Sequence, residues 1–377
     1  MGRERVAVIG GGIVGCTAAA LLAEAGRSVS LFEATAIAAG ASGRNSGSIQ
    51  HPFDSVLLPL HLETLAMYRQ LAASDLDFAF PSEPAGILLL TDDDAAARSR
   101  AAELQTAFPE LGAEALEPDT VAAAEPTLSP GWSAVRVATG FPATPDGATR
   151  ALAARAVRAG VTLRIGRAAQ PWIEHVRLRG VKLDDGEQLP FDQVLLAAGP
   201  WTPDVLSPES GWPPISRTWG VTVQVDLPDG PRHILEEGVV HTVNVPRGLE
   251  LADASPNSLF SLMPVHGIAT VGSTFLPYEA DPAAVAPLLL ERGSAFVPAL
   301  RHAPVRTYRV CARPQSADGR PFIGRVPGMD GLFVCAGNGP WGISTGPGSA
   351  ALVVDQMLGR PDRVPIALST ERPARPI

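Results

Sequence analysis

The sequence predicts a two-part chain of class α/β plus α+β, with a discontinuous Rossmann-like domain and an antiparallel-sheet domain inserted into it. Three observations predict this. At 377 residues the chain exceeds the size at which a single core stops growing, roughly 250–300 residues. A strand, a glycine-rich turn, a helix and a second strand follow one another from Val6 to Glu33, the spacing of a βαβ unit. A buried strand ending in glycine (GLFVCAG, Gly331 to Gly337) and a helix return near the C-terminus, whereas Ile215 to Thr274 alternates and is dotted with proline and glycine, as antiparallel strands are. The expected segments are 1–55, 140–214 and 305–377 for the first domain, and 56–139 and 215–304 for the second.

Each element follows from local pattern. Val6 to Ile9 is a short apolar run, read as a buried strand. CTAAALLAEAG, rich in alanine and leucine, reads as a helix ending at Gly26. Ser28 to Phe32 is a second strand, and Ala39 to Ile49 is a Gly/Ser loop. Apolar spacing from Leu57 to Leu71 is helical, PSEPAGILLLTDDD reads as a turn and a strand leaving into an acidic helix start, and Ala95 to Leu116 reads as helix. Thr149 to Ala159 is an amphipathic helix before the strand VTLRIG. RGVKLDDGEQLPF is a hairpin turning at Asp185-Gly186, and QVLLAAGPW is a buried strand ending in glycine. The last helix, Ser349 to Leu358, is expected to start near Gly346.

Composition narrows the function classes. Apolar residues make up 46% of the chain, which suits a fully folded protein. A net charge of −9 without any basic block argues against nucleic acid, whose phosphates need clustered cations. Lys182 is the only lysine among 30 basic residues, so a mechanism needing a catalytic lysine has one candidate. Cys16, Cys311 and Cys335 form an odd, sparse set, with neither a disulfide framework nor a zinc spacing. MGRERVAVIGGG enters a strand at once, and the apolar run from Val6 is broken by glycines. That pattern is neither a signal peptide nor a membrane span, and a reducing cytoplasm is the expected location.

Gly10, Gly12 and Gly15 have the G-x-G-x-x-G spacing, with Ile13 and Val14 in the same cofactor-binding loop. The first glycine permits the tight turn, the second lets backbone approach a pyrophosphate, and the third lets helix and strand pack closely. The helix N-terminus offers free N–H groups and partial positive charge. Glu33, at the end of the second strand, is placed to accept from a ribose hydroxyl. Strand, loop, helix, strand and acid in that order point to an adenine dinucleotide. Further along, in RVCARPQSADGRPFIG, an extended backbone puts Arg309, Cys311 and Arg313 on one face.

Together these motifs resemble the D-amino-acid oxidase family of flavoproteins, in particular its glycine oxidase and sarcosine oxidase branch. VAVIGGGIVGCTAAALLAEAG…LFE resembles the family's FAD fingerprint, and ASGRNSG its second cofactor loop, with Ser42, Arg44, Asn45 and Ser46. GVKLDDGEQLPFDQVLLAAGPW, with Gly199, resembles its hairpin and following strand. CARPQSADGRPFIG and GLFVCAGNGPWGISTGPGSA resemble its two C-terminal motifs, the second contributing Gly337, Gly339, Gly342, Ile343 and Ser344.

The resemblance implies FAD and oxidation of a C–N bond in an amine or amino acid. Hydride passes to flavin N5 and leaves an imine. It makes Arg313 the residue that holds a substrate carboxylate, a task suited to its planar fork. It aligns Cys311 with the position at which some members attach FAD through a thioether and others bind it without a bond. Two departures stand out: Pro340, beside Trp341, occupies the place of a second substrate arginine, and Thr270 that of the lysine which activates oxygen. Trp341 suits a larger amine, a cation or domain packing. The electron acceptor is therefore left as oxygen or an electron carrier. A tailoring oxidase acting on a cyclic amine or imine is the alternative reading.

Overall fold

In the computed structural model of the chain, the described residues are 3–74, 77–175, 177–206, 212–238 and 258–373. The alternation expected from 215 to 274 includes residues 239–257, which lie outside them.

The strand Arg5–Ile9 is buried from Val6 onward, as a central parallel strand covered on both faces must be. It lies inside a six-stranded sheet among the described residues. The order is Phe322–Arg325, Leu332–Ala336, Gln193–Leu196, Arg5–Ile9, Ser28–Glu33 and Thr162–Ile165. All neighbours in this sheet run parallel except the first pair. Helices Ile13–Glu24, Gly147–Arg158 and Gly342–Met357 supply apolar faces to the core that covers it. The carboxyl ends of the central strands lead into Gly10, Ala197 and Gly337, the edge at which such sheets bind ligands.

An eight-stranded sheet forms the second layer. Its order is Val305–Ser316, Ile215–Asp226, Ile268–Thr274, Ser258–Val265, Ile234–Glu237, Ile87–Thr91, Ser133–Val137 and Glu114–Leu116. Helix Pro282–Ser294 covers one face of it with Val285, Ala286 and Leu289. The other face looks toward the glycine-rich edge of the first sheet. Val305–Ser316 comes from the C-terminal segment expected in the nucleotide-binding domain, yet it pairs along its length with Ile215–Asp226.

Two elements differ from expectation. The helix expected from Ala95 to Leu116 stops at Ala107, where Phe108 leaves helical geometry, Pro109 follows and Gly112 turns left-handed with φ +53°. The last helix starts at Gly342, one turn before the expected Gly346. Among the described residues no helix is long and apolar enough to cross a membrane.

Candidate active site

The loop after the first strand is built by close approach. Gly10 has φ +116°, and a Cβ there would collide with the Ala197 carbonyl. A Cβ on Gly15 would collide with the Gly10 carbonyl, so glycine is what lets the first helix sit on the strand. The helix N-terminus is closed by Ser42, whose Oγ accepts from the Ile13 N–H at 2.9 Å. Glu33 Oε2 accepts from the Gly11 N–H at 2.7 Å, and its Oε1 from Thr35 N–H at 2.8 Å. A carboxylate held by backbone at a strand end has lone pairs left for a ribose.

From this loop a cavity of about 740 Å³ extends between the two sheets. That size falls within the range of cofactor and ligand sites. Its walls bring together residues far apart in sequence. Gly10, Gly12, Ile13, Val14 and Glu33 line one end, and Ser42, Arg44, Asn45 and Ser46 line it from the second loop. Gly199, Gly339, Trp341, Gly342 and Ile343 enter from the two strand-to-helix turns. Cys311 and Arg313 reach it from the far sheet. Gly15, Gly337 and Ser344 stand behind the wall. Gly15 packs helix on strand, Gly337 turns the chain at φ +97°, and Ser344 Oγ accepts from the Gln50 N–H at 3.0 Å.

Thr270 does not reach the cavity. It is buried in the strand Ile268–Thr274 between Gln224 and Met263, and Ser273 and Phe275 line the wall in its place. Nor does Lys182 line it; among the described residues the cations in the wall are Arg44 and Arg313.

Arg313 is the main charge of the far wall. Its guanidinium donates to the Thr274 carbonyl and to Ser273 Oγ, both at 2.8 Å, and stacks 4.5 Å from the Phe275 ring centroid. Burial pulls its pKa down, though an arginine stays charged at neutral pH. No carboxylate pairs with it among the described residues. Gly220, paired with Cys311 across the strands, makes room: a Cβ there would lie 2.5 Å from both terminal guanidinium nitrogens. Cys311 is buried, which raises its pKa, while Arg313, Arg44 and Arg309 oppose the rise. Its thiol lies 3.7 Å from the Arg44 carbonyl.

The wall also carries the titratable group Glu236, which the sequence pattern did not single out. It lies in the strand Ile234–Glu237, lines the cavity, and is raised to about 7 by burial, with a Gln50 hydrogen bond pulling the other way. Only cross-strand register would have revealed it. Phe260 also lines the cavity, whereas Phe141 stacks on Phe80 and Tyr308 is exposed.

An adenine dinucleotide fits what is present. The glycine cradle leaves backbone approachable, and the first helix aims its N-terminus into the cavity. Trp341 Nε1, buried in the wall, has no hydrogen-bond partner, a donor that a bound group would satisfy. The last helix also starts at the wall, through Gly342 and Ile343, so partial positive charge faces the cavity there.

The overall fold is shared with solved glycine oxidases. That from Bacillus cereus ATCC 14579 superposes with a TM-score of 0.79 at 24% identity, covering 95% of each chain. The one from Geobacillus kaustophilus gives 0.81 at 23% identity, covering 98% of this chain and 99% of that one. In sequence, the chain is 29% identical to the glycine oxidase of Pseudomonas putida over 191 residues, 49% of this chain and 47% of that protein. It is 27% identical to the D-amino acid dehydrogenase of Cereibacter sphaeroides over 274 residues, 70% of this chain and 58% of that protein. The matched regions span about half the length of these curated relatives. The sequence profile of the DAO family, described as FAD dependent oxidoreductase, matches residues 5–356, and the chain belongs to that family.

Proposed function

We propose that this protein oxidises the C–N bond of a small amine or amino acid bearing a carboxylate. The observation that carries this reading is Arg313, a half-buried guanidinium in the cavity wall whose hydrogen-bond partners among the described residues are all neutral. A planar fork in that state is complementary to a carboxylate. FAD, when bound, supplies the hydride acceptor. The chain's own residues hold the substrate, close the pocket against water through Phe260, Phe275 and Trp341, and orient the carbon that bears nitrogen.

The domain division we propose keeps 1–55 and 140–214 together as the FAD-binding part and places its last boundary after Ser316, because Val305–Ser316 is paired in the far sheet. Three free, buried cysteines support a reducing location such as the cytoplasm. The acceptor is oxygen or an electron carrier. With Arg44 and Arg313 as the cations of the described wall, the carrier is favoured, and slow reoxidation by oxygen in stopped flow is the expected result. Cys311, in the wall beside Arg313, supports a thioether to the cofactor. Acid-precipitated holoenzyme then keeps its yellow colour in the pellet; colour left in the supernatant excludes the bond.

The main test is anaerobic bleaching of the flavin band by glycine, sarcosine, D- and L-amino acids, proline, pipecolate and simple amines. Bleaching by carboxylated amines is expected. In Arg313→Ala, kcat/KM for them falls about 10- to 100-fold, the worth of a hydrogen-bonded charge. If the variant bleaches at the wild-type rate under low substrate, the carboxylate role is lost. Bleaching by none of these compounds moves the reading to a specialised cyclic amine or imine.

A further inference from the structure

We propose that Glu236 is a catalytic residue that binds the substrate's amino group and takes up its proton, across the same cavity from Arg313. This rests on the proposed function and names the second half of its substrate site.

Strand register puts the two charges on one surface. Thr222 pairs with Gly272, Gly272 with Ser261, and Ser261 with Glu236. Directly paired residues share a face, and Thr222, Ser261 and Glu236 all line the cavity. The Arg313 head is anchored on Ser273 and Thr274, next to Gly272 in this row. Glu236 is two strands further on, roughly 10 Å across the sheet. Part of that distance is covered by the glutamate side chain, and the rest is on the scale of one small α-amino acid. Glu237, the next residue, also borders the cavity, but its carboxylate is held by Arg292 of the covering helix, so Glu236 is the carboxyl of this strand left without a cation among the described residues.

Among the described residues, Glu236 has no cation paired with it. Gln50 hydrogen-bonds to it, and Gln50 is in turn fixed by Ser48 and by Ser344 of the last helix. The groups facing it are Gln50 and Ser48 from the loop, Ser261 from the adjacent strand, and Arg313 further along the wall. A half-buried carboxyl and a half-buried guanidinium, neither paired with an opposite charge among the described residues, are together complementary to a zwitterion. The step balances simply: the substrate ammonium gives one proton to the Glu236 carboxylate, leaving a neutral amine and a carboxylic acid. The amine lone pair is then free to assist loss of hydride from the adjacent carbon.

The test uses holoenzyme and two probes followed by the shift each causes in the flavin spectrum. 2-Aminoisobutyrate has no hydrogen on the carbon bearing nitrogen and cannot be oxidised there; isobutyrate lacks the amine. Wild type is expected to bind the amino acid about 10- to 100-fold more tightly than isobutyrate. Glu236→Gln brings that ratio to about one and leaves isobutyrate unchanged, while Arg313→Ala weakens both probes. The second measurement needs no variant. At about pH 6, below the Glu236 titration, binding of 2-aminoisobutyrate releases about one proton per site and isobutyrate releases none. An unchanged ratio in Glu236→Gln, the absence of proton release, or failure of wild type to bind either probe overturns the proposal. Failure of the Arg313 reading looks different, since Arg313→Ala then leaves isobutyrate binding intact.

Discussion

Arg313 lies flat because Gly220 has no side chain. An added methyl 2.5 Å from both terminal nitrogens forces the guanidinium off Ser273 Oγ and the Thr274 carbonyl. Gly220→Ala is therefore expected to raise KM for a carboxylated amine about tenfold, with a smaller effect on kcat. Combined with Arg313→Ala it adds little, because both changes act on one contact. Steady-state kinetics of the two single variants and the double variant check this; full additivity would separate Gly220 from Arg313. The contrast also shows what a sequence discloses at this scale. Arg313 is legible because a charged residue stands in a recognisable motif. Gly220, Ser273 and Glu236 are not, because their importance arises when strands distant in sequence pair. Thr270 matches the lysine position by local alignment, but the wall is lined by Ser273 of that strand and by Phe275 just after it.

At the scale of elements, the last helix depends on another helix for its hydrogen bonds. Pro347 lies inside Gly342–Met357 and has no N–H to give to the Ile343 carbonyl. Tyr68 supplies the donor, its hydroxyl 2.7 Å away. One residue on, the Ser344 carbonyl accepts from His61 Nδ1 at 3.1 Å, and the Gly348 N–H donates to Thr64 Oγ1 at 3.1 Å. His61, Thr64 and Tyr68 share one face of Leu58–Ala72 by their helical spacing. Together they hold the turn that brings Gly342 and Ile343 to the cavity wall. Tyr68→Phe leaves a buried carbonyl unsatisfied, a loss of about 1–3 kcal/mol, so a lower unfolding midpoint and weaker flavin retention are expected. An unchanged midpoint by calorimetry would show that the carbonyl finds another donor. The helix starts one turn earlier than its sequence suggests for the same physical reason. GISTGPG reads as turn chemistry, and the side chains that rescue it as helix lie far away in the chain. The βαβ unit needs no such help, which is why its strands are legible within a residue and its helix within three.

For the whole molecule, buried His61 and half-buried Glu236 set opposing dependences on pH. His61 is lowered from 6.5 to about 4, first by burial and against the pull of its Ser344 hydrogen bond. Between those values the native chain binds fewer protons than the unfolded one, so stability rises with pH and is lost as pH falls. Burial lowers His51 as well, which adds to the same slope. Glu236 is raised from 4.5 to about 7. Here the native chain binds more protons than the unfolded one, so stability is present below 4.5 and is lost as pH rises through 7. Each of the two larger shifts corresponds to at most about 3 kcal/mol, and their windows overlap from 4.5 to 6.5. Across that overlap they offset one another, and the unfolding midpoint of the apoprotein is expected to vary little. His61→Gln keeps a donor for Ser344 and removes one slope, so stability then falls as pH rises. Glu236→Gln removes the other, so stability then rises with pH. Thermal melts of the three proteins over this interval decide the matter. If the two variants tilt the same way, or His61→Gln follows wild type, a neutral buried histidine is not what opposes the Glu236 carboxyl.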